Sequence, residues 1–303
     1  MQPVKVFLVD GTYELFRHYH GAPRYQGADG MEVGATRAAV GSVLGMLEGG
    51  ATHLAVATDH VIESWRNEAW PSYKSSAGVP EDLLGQFQLF EDTLGALGVL
   101  VWPMVDLEAD DALASGASVL ADDPRADQVL ICTPDKDLGQ CVRGTRVVCL
   151  DRRKDAVVDE DAVRRRFGVG PASVPDWLAL VGDSADGYPG LPGWGAKATT
   201  AVLARYADIE SVPTSGPPWP VDLPQRRQAT LRSVLAEGRE LALLFKRLAT
   251  CVVRPDLLPP GPAALDSLRW PGPTADLAEM AMRLGSASLQ RRASDLAGAR
   301  GQA

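Results

Sequence analysis

Short apolar runs recur through the first half of the chain, at Val4–Val9, His53–Thr58, Val99–Trp102, Val129–Thr133 and Arg146–Leu150. None alternates clearly between apolar and polar positions, which is how strands buried on both faces read. Helix-length stretches separate them: Gly11–His20, Gly34–Leu47, Glu81–Leu97 and Glu108–Leu120. This alternation predicts an α/β fold with a parallel sheet flanked by helices, although strand order does not follow from it. Beyond about residue 170 the strand signal stops. Pro175–Val181, Lys197–Tyr206 and Pro224–Ala249 read as helices, with loops at Pro213–Pro224 and Pro255–Pro262. The expected organisation is an α/β domain over residues 1–170, a helical subdomain over 171–260, and a segment over 261–303 that packs back on the first domain.

Composition changes this picture little. The chain is 46% hydrophobic and 23% charged, ordinary for a globular protein. Its start, MQPVKVFLVD, reads as a buried strand and not as a signal peptide. No apolar run is long enough to span a membrane, so no membrane association is expected. Cys132, Cys141, Cys149 and Cys251 lack CxxC spacing and read as reduced thiols of a cytoplasmic protein.

Charge is more informative by position than by total. A net charge of −9 argues against a nucleic-acid partner. Yet residues 75–124 hold ten acids and no Lys or Arg, whereas 125–170 hold ten bases. The acids also fall in a pattern. Asp10 follows the first strand, Asp59 the second, Glu108, Asp110 and Asp111 the third, and Asp135 and Asp137 the fourth. Ligands of open parallel sheets bind beyond the carboxyl ends of the strands, so these seven acids are expected on one rim. Asp183 and Asp186 form a further pair in a GDSADG turn. Each motif alone admits a structural account: acids favour a helix N-terminus, and Asp-x-Asp is an ordinary turn. Together they form a crowd of anions that needs a cation. Oxygen ligands without Cys or clustered His select Mg²⁺ or Mn²⁺, and so many acids imply two or more ions. Such ions would clamp the attacking and leaving oxygens of a phosphoryl transfer.

A second motif, GLPGWGAKATTA over 190–201, reads as a turn into a helix. Gly190, Gly193 and Gly195 would let a backbone phosphate approach, and Lys197 would supply a charge. A plain helix–turn–helix corner is the alternative. Tyr13 and Tyr73 are candidates for stacking on bases.

The segments LVDGTYELFRHYH, ATDH, WRNEAWPSYK, LEADD, TPDKDL, LALVGDSADGYPGLPGWGAKATTAVL and ELALLFKRLAT occur in order over residues 4–250. In this combination the chain resembles the 5′ nuclease family of bacterial DNA polymerase I N-terminal domains, stand-alone 5′–3′ exonucleases and flap endonucleases. The resemblance implies a PIN-like nuclease domain with a helical arch over about 70–90, and a helix–three-turn–helix DNA-binding subdomain. It assigns Asp10, Asp59, Glu108, Asp110 and Asp111 to a first metal, with Asp135 shared or adjacent, and Asp137, Asp183 and Asp186 to a second. Arg66 and Lys74 are implied as cations on the scissile phosphate, and the hairpin as a grip on duplex DNA that can hold K⁺. The implied activity is Mg²⁺- or Mn²⁺-dependent 5′–3′ exonuclease and flap endonuclease action in replication or repair. Its expected partners are 5′ flaps and branched or nicked duplex, extending to RNA–DNA hybrids, with the protein acting as a monomer. Where the family carries an Arg after its YK pair, this chain runs Ser75, Ser76, Ala77; Gly187 stands where Asn is usual. Two other readings remain: a structure-specific DNA-binding protein whose cleavage is lost, and an acidic-site phosphatase or toxin nuclease. The last two have no need of the 190–201 hairpin.

Overall fold

A computed structural model describes residues 4–301; the outermost residues of the expected end segments, 1–3 and 302–303, lie outside the described residues. In chain order the elements begin β1 (Lys5–Asp10), α1 (Gly11–Gly21), α2 (Gly34–Glu48), β2 (His53–Asp59), α3 (Trp65–Ala69), α4 (Glu81–Leu84) and α5 (Gln86–Ala96). Next come β3 (Leu100–Met104), α6 (Ala109–Ala121), β4 (Gln128–Cys132), β5 (Val147–Asp151), β6 (Ala156–Val158) and α7 (Glu160–Phe167). The chain ends with α8 (Val174–Val181), α9 (Ala196–Tyr206), α10 (Gln225–Ala249), α11 (Ala263–Ser267), α12 (Leu277–Arg283) and α13 (Ala287–Ala299). They form two compact units. The first comprises residues up to 62, 76–133 and those from 253 on; the second comprises 63–75 and 134–252.

In the first unit the strands lie in the order β3-β2-β1-β4, all parallel. Val6, Leu8 and Val9 of β1 are fully buried, as expected of a central strand covered on both faces. Gly11 is required where β1 turns into α1, because a Cβ there would lie 2.6 Å from Val56 Cγ1 and 2.8 Å from the Ala57 carbonyl. The C-terminal residues bind this unit directly. Leu54 N donates to Leu268 O at 2.9 Å, and the buried Trp270 indole donates to Leu97 O at 2.7 Å.

The second unit is mainly helical, with α8 packed on α10. One expectation needs correction, and two elements were not predicted. Arg146–Leu150 forms the expected strand, β5, and β6, which the hydrophobic pattern did not mark, pairs antiparallel with it across a short turn. The polar stretch Glu160–Phe167 is a helix, closed by Asp159 as N-cap and by Gly168 at φ +71. The expected helical arch is helical only from Glu81, since 71–80 forms turns and bends rich in Gly, Pro and Ser. Among the described residues no helix is long and apolar enough to cross a membrane.

Candidate metal centre and nucleic-acid interface

Five of the nine predicted acids belong to the first unit, and the ends of its strands hold them. Asp10 is the N-cap of α1: its Oδ1 accepts from Tyr13 N at 2.8 Å and its Oδ2 from Thr133 Oγ1 at 2.9 Å. Asp59, ending β2, accepts from Ala109 N at 2.6 Å, so the strand end is fastened to the first turn of α6. Asp59 N in turn donates to Thr12 Oγ1 at 2.8 Å. At the start of α6, Glu108 N donates to Asp111 Oδ2 at 3.0 Å. Asp111 is fully buried and Glu108 nearly so, while Asp59 and Asp110 are half-buried. Buried carboxylates fixed by backbone N–H groups are preorganised oxygen ligands.

The second unit holds the tightest group among the described residues. Asp137, Asp183 and Asp186 each present an oxygen within 4.8 Å of the others. Asp137 opens a short 3₁₀ turn, and its N–H donates to Asp135 Oδ1 at 2.9 Å, leaving Asp135 exposed beside the group. Asp183 and Asp186 stand in the turn after α8, closed by paired backbone bonds between Asp183 and Tyr188. That turn has no room for the Asn usual at position 187. Gly187 has φ +83, and a Cβ there would run into the Ser72 carbonyl. Trp70 Nε1 donates to Gly187 O at 3.0 Å, and Lys74 N to Asp186 O at 3.1 Å.

Two lysines partly neutralise this triad. Lys136 pairs with Asp183 and lies 3.4 Å from Asp137 Oδ1, and Lys74 Nζ lies 3.4 Å from Asp186 Oδ1. Burial, then the neighbouring Asp135, push the Asp137 carboxyl up to about 8, against the opposing pull of Lys136. Burial lowers the Lys136 ammonium, but Asp137 and Asp183 outweigh it and hold the group above its ordinary range. Burial, then Asp137, raise the Tyr188 phenol as well. Asp137 Oδ1 is buried and accepts no hydrogen bond. A buried carboxylate oxygen that accepts no hydrogen bond, in an oxygen-only triad, fits a hard divalent cation. Lys136 sits between two predicted ligands in the sequence, and that position was the signal for its role.

Several other expected site residues lie elsewhere than predicted. Arg66 is 2% exposed; its Nε donates to Leu248 O at 2.8 Å and its Nη2 to Thr250 O at 3.2 Å, so it ties down the end of α10. In this structure Arg66 thus packs within the second unit. Tyr73, 4% exposed, has no face to offer a base, whereas Tyr13 is half-buried on α1. Gly190 is buried with φ +70, and a Cβ there would strike Gly182 N, so it shapes the turn and is not presented to a ligand. Gly193, Gly195 and Lys197 are exposed. Gly195 is the N-cap of α9 and has no side chain to occupy the helix's first N–H groups.

A parallel sheet with carboxylates at its strand ends, joined in one chain to an oxygen-only triad, defines the class: an α/β protein with a donor set suited to divalent cations. The comparisons place it more closely. Residues 5–168 match the family model of the 5′–3′ exonuclease N-terminal resolvase-like domain, and 169–273 that of the 5′–3′ exonuclease C-terminal SAM fold. The chain belongs to the 5′–3′ exonuclease family. It is 32% identical to DNA polymerase I of Pseudomonas aeruginosa over 82% of its length, and spans 27% of that protein. It is 28% identical to the 5′–3′ exonuclease of Buchnera aphidicola, covering 82% of this chain and 81% of that one. The fold is shared with the T5 D15 protein co-crystallised with metal ions (TM-score 0.64, 14% identity, 97% of this chain and 98% of that one). It is also shared with flap endonuclease-1 from Methanococcus jannaschii (TM-score 0.57, 14% identity, 96% and 91%).

Proposed function

We propose that this chain hydrolyses DNA phosphodiesters at 5′ ends, trimming duplex ends and cutting 5′ flaps, with Mg²⁺ or Mn²⁺ as cofactor. The observation that carries the reading is the triad Asp137, Asp183 and Asp186, with a buried oxygen that accepts no hydrogen bond. Asp10, Asp59, Glu108, Asp110 and Asp111 would hold one ion and the triad a second, with Asp135 serving as an outer ligand. Ions bound there would activate water and stabilise the leaving oxygen. The chain's own part is to fix those carboxylates in place and to supply Lys74, the half-exposed cation beside Asp186. Gly193, Gly195 and Lys197 would hold the sugar-phosphate backbone of duplex DNA without reading sequence, with K⁺ as a further ligand of the turn. The division of labour is nuclease chemistry over 1–170, duplex binding over 171–260, and support over 261–303. Nicked and branched duplex and RNA–DNA hybrids belong to the proposed substrate class. Monomeric action in the cytoplasm completes the reading.

A related fold crystallised with DNA and metal ions, the T5 D15 flap endonuclease, supports the substrate class. The test is a 5′-labelled flap duplex incubated with the protein in Mg²⁺, Mn²⁺ or EDTA, beside Asp135→Ala. Metal-dependent cutting near the junction, lost in the variant, is the expected result. Tight binding with no cutting in either metal would move the assignment to a DNA-binding relative that has lost its chemistry.

A further inference from the structure

Beyond the hairpin, the second unit carries two arginines in an unfavourable place. Arg226 and Arg227 stand in the first turn of α10, a helix of 25 residues with no acid in that turn. Cations there face the positive end of the helix dipole, an arrangement that costs stability unless an anion lies nearby. Both residues are exposed, and among the described residues neither guanidinium meets a carboxylate. Arg227 Nη2 instead donates to the carbonyl of Gly193 at 3.2 Å, joining the start of α10 to the exposed turn that precedes α9. The two arginines, Gly193, Pro224, Thr230 and Leu231 line one cleft of about 360 Å³. Thr230 turns its hydroxyl back to Arg226 O, so the guanidinium groups are the polar groups left to a ligand.

We propose that this cleft is a second backbone-phosphate contact for duplex DNA, continuous with the hairpin and made by Arg226 and Arg227. The inference rests on the DNA-binding reading of the hairpin and extends it to residues outside the 190–201 motif. An anion in the cleft would resolve the clash with the helix dipole. A guanidinium fork suits phosphate oxygens, and Arg227 already holds the hairpin turn beside it.

The test measures affinity for a fluorescent 5′-flap duplex over a KCl series, in Mg²⁺ and in an Asp135→Ala background that does not cut. Removing one cation from a phosphate lowers the slope of log K against log salt by about one. Arg226→Ala, a side chain with no bond to lose, is expected to lower the slope by about one and weaken binding several-fold, with a melting temperature of the free protein that does not fall. Arg226→Lys is expected to retain the slope, and Arg226→Ala/Arg227→Ala to lower it by about two. If Lys197→Ala weakens binding while Arg226→Ala and the double variant leave slope and affinity unchanged, the cleft does not touch DNA and the hairpin reading survives. If the parent protein binds no duplex, both readings fall.

Discussion

At the scale of single residues, Asp137 is the most informative side chain in the molecule. Its carboxyl is pushed up to about 8 because it is buried among other acids, against an ordinary value of 3.8. The folded, metal-free protein therefore keeps a proton that the unfolded chain has already released. Stability from this group is fully present below about pH 4 and is lost as the pH rises towards 8. Metal-free protein is thus expected to melt about 3 °C or more lower at pH 8 than at pH 5. Asp137→Asn should flatten that dependence, because it removes the proton, and Mg²⁺ should flatten it in the parent by replacing the proton with a cation. Calorimetry across pH, with and without metal, checks this. A parent curve that is already flat without metal would mean that the triad is neutralised by other means. The identity of the acids was legible in the sequence, since each follows a strand or sits in a recognisable turn. What could not be read was their electrostatic setting. The pairing of Lys136 with Asp183, and the burial of Tyr73, depend on contacts made by residues distant in sequence, although the place of Lys136 beside Asp137 was a signal.

At the scale of elements, the apolar runs located β1 to β5 to within a residue or two, because buried parallel strands are nearly continuous in hydrophobicity. Two elements escaped for a physical reason. β6 has three residues, and α7 buries only Val163 and Phe167, so neither leaves a periodic apolar signal. The long α10 was plain in the sequence, but the means of closing its end was not. Its last carbonyls have no helical partner, and the buried Arg66 guanidinium supplies donors to Leu248 O and Thr250 O. Arg66→Ala is therefore expected to destabilise the protein by about 2–4 kcal/mol, since buried acceptors would lose charged donors. Arg66→Lys should recover only part, lacking the planar fork. Lys74→Ala presents the opposite profile. Its pair with Asp186 is partly exposed and worth about 0–1 kcal/mol, so stability should barely change while cleavage falls at least tenfold. Urea unfolding alongside single-turnover cleavage separates the two. Full stability with lost cleavage in Arg66→Ala would return that residue to the scissile phosphate.

For the whole molecule, the net charge of −9 conceals an uneven distribution. The first unit holds 11 Lys and Arg against 22 Asp and Glu, and the second 19 against 17. On the proposed reading, backbone contacts to DNA fall to the second unit, while the acidic excess of the first would repel a polyanion until its carboxylates are neutralised. Divalent cations would then assist binding apart from any role in bond cleavage. In the non-cutting Asp135→Ala background, flap-duplex affinity at low salt is expected to be at least about tenfold weaker in EDTA than in Mg²⁺. Adding Asp59→Asn and Asp110→Asn, which remove two half-buried charges from the first unit, should recover several-fold of that affinity in EDTA. The same changes should confer no gain in Mg²⁺, where the ion they help to hold already does the neutralising. Equal affinity in EDTA and Mg²⁺ would show that the acidic unit does not oppose DNA. A loss on substitution in EDTA would show that those two acids orient the duplex through donors and not through charge.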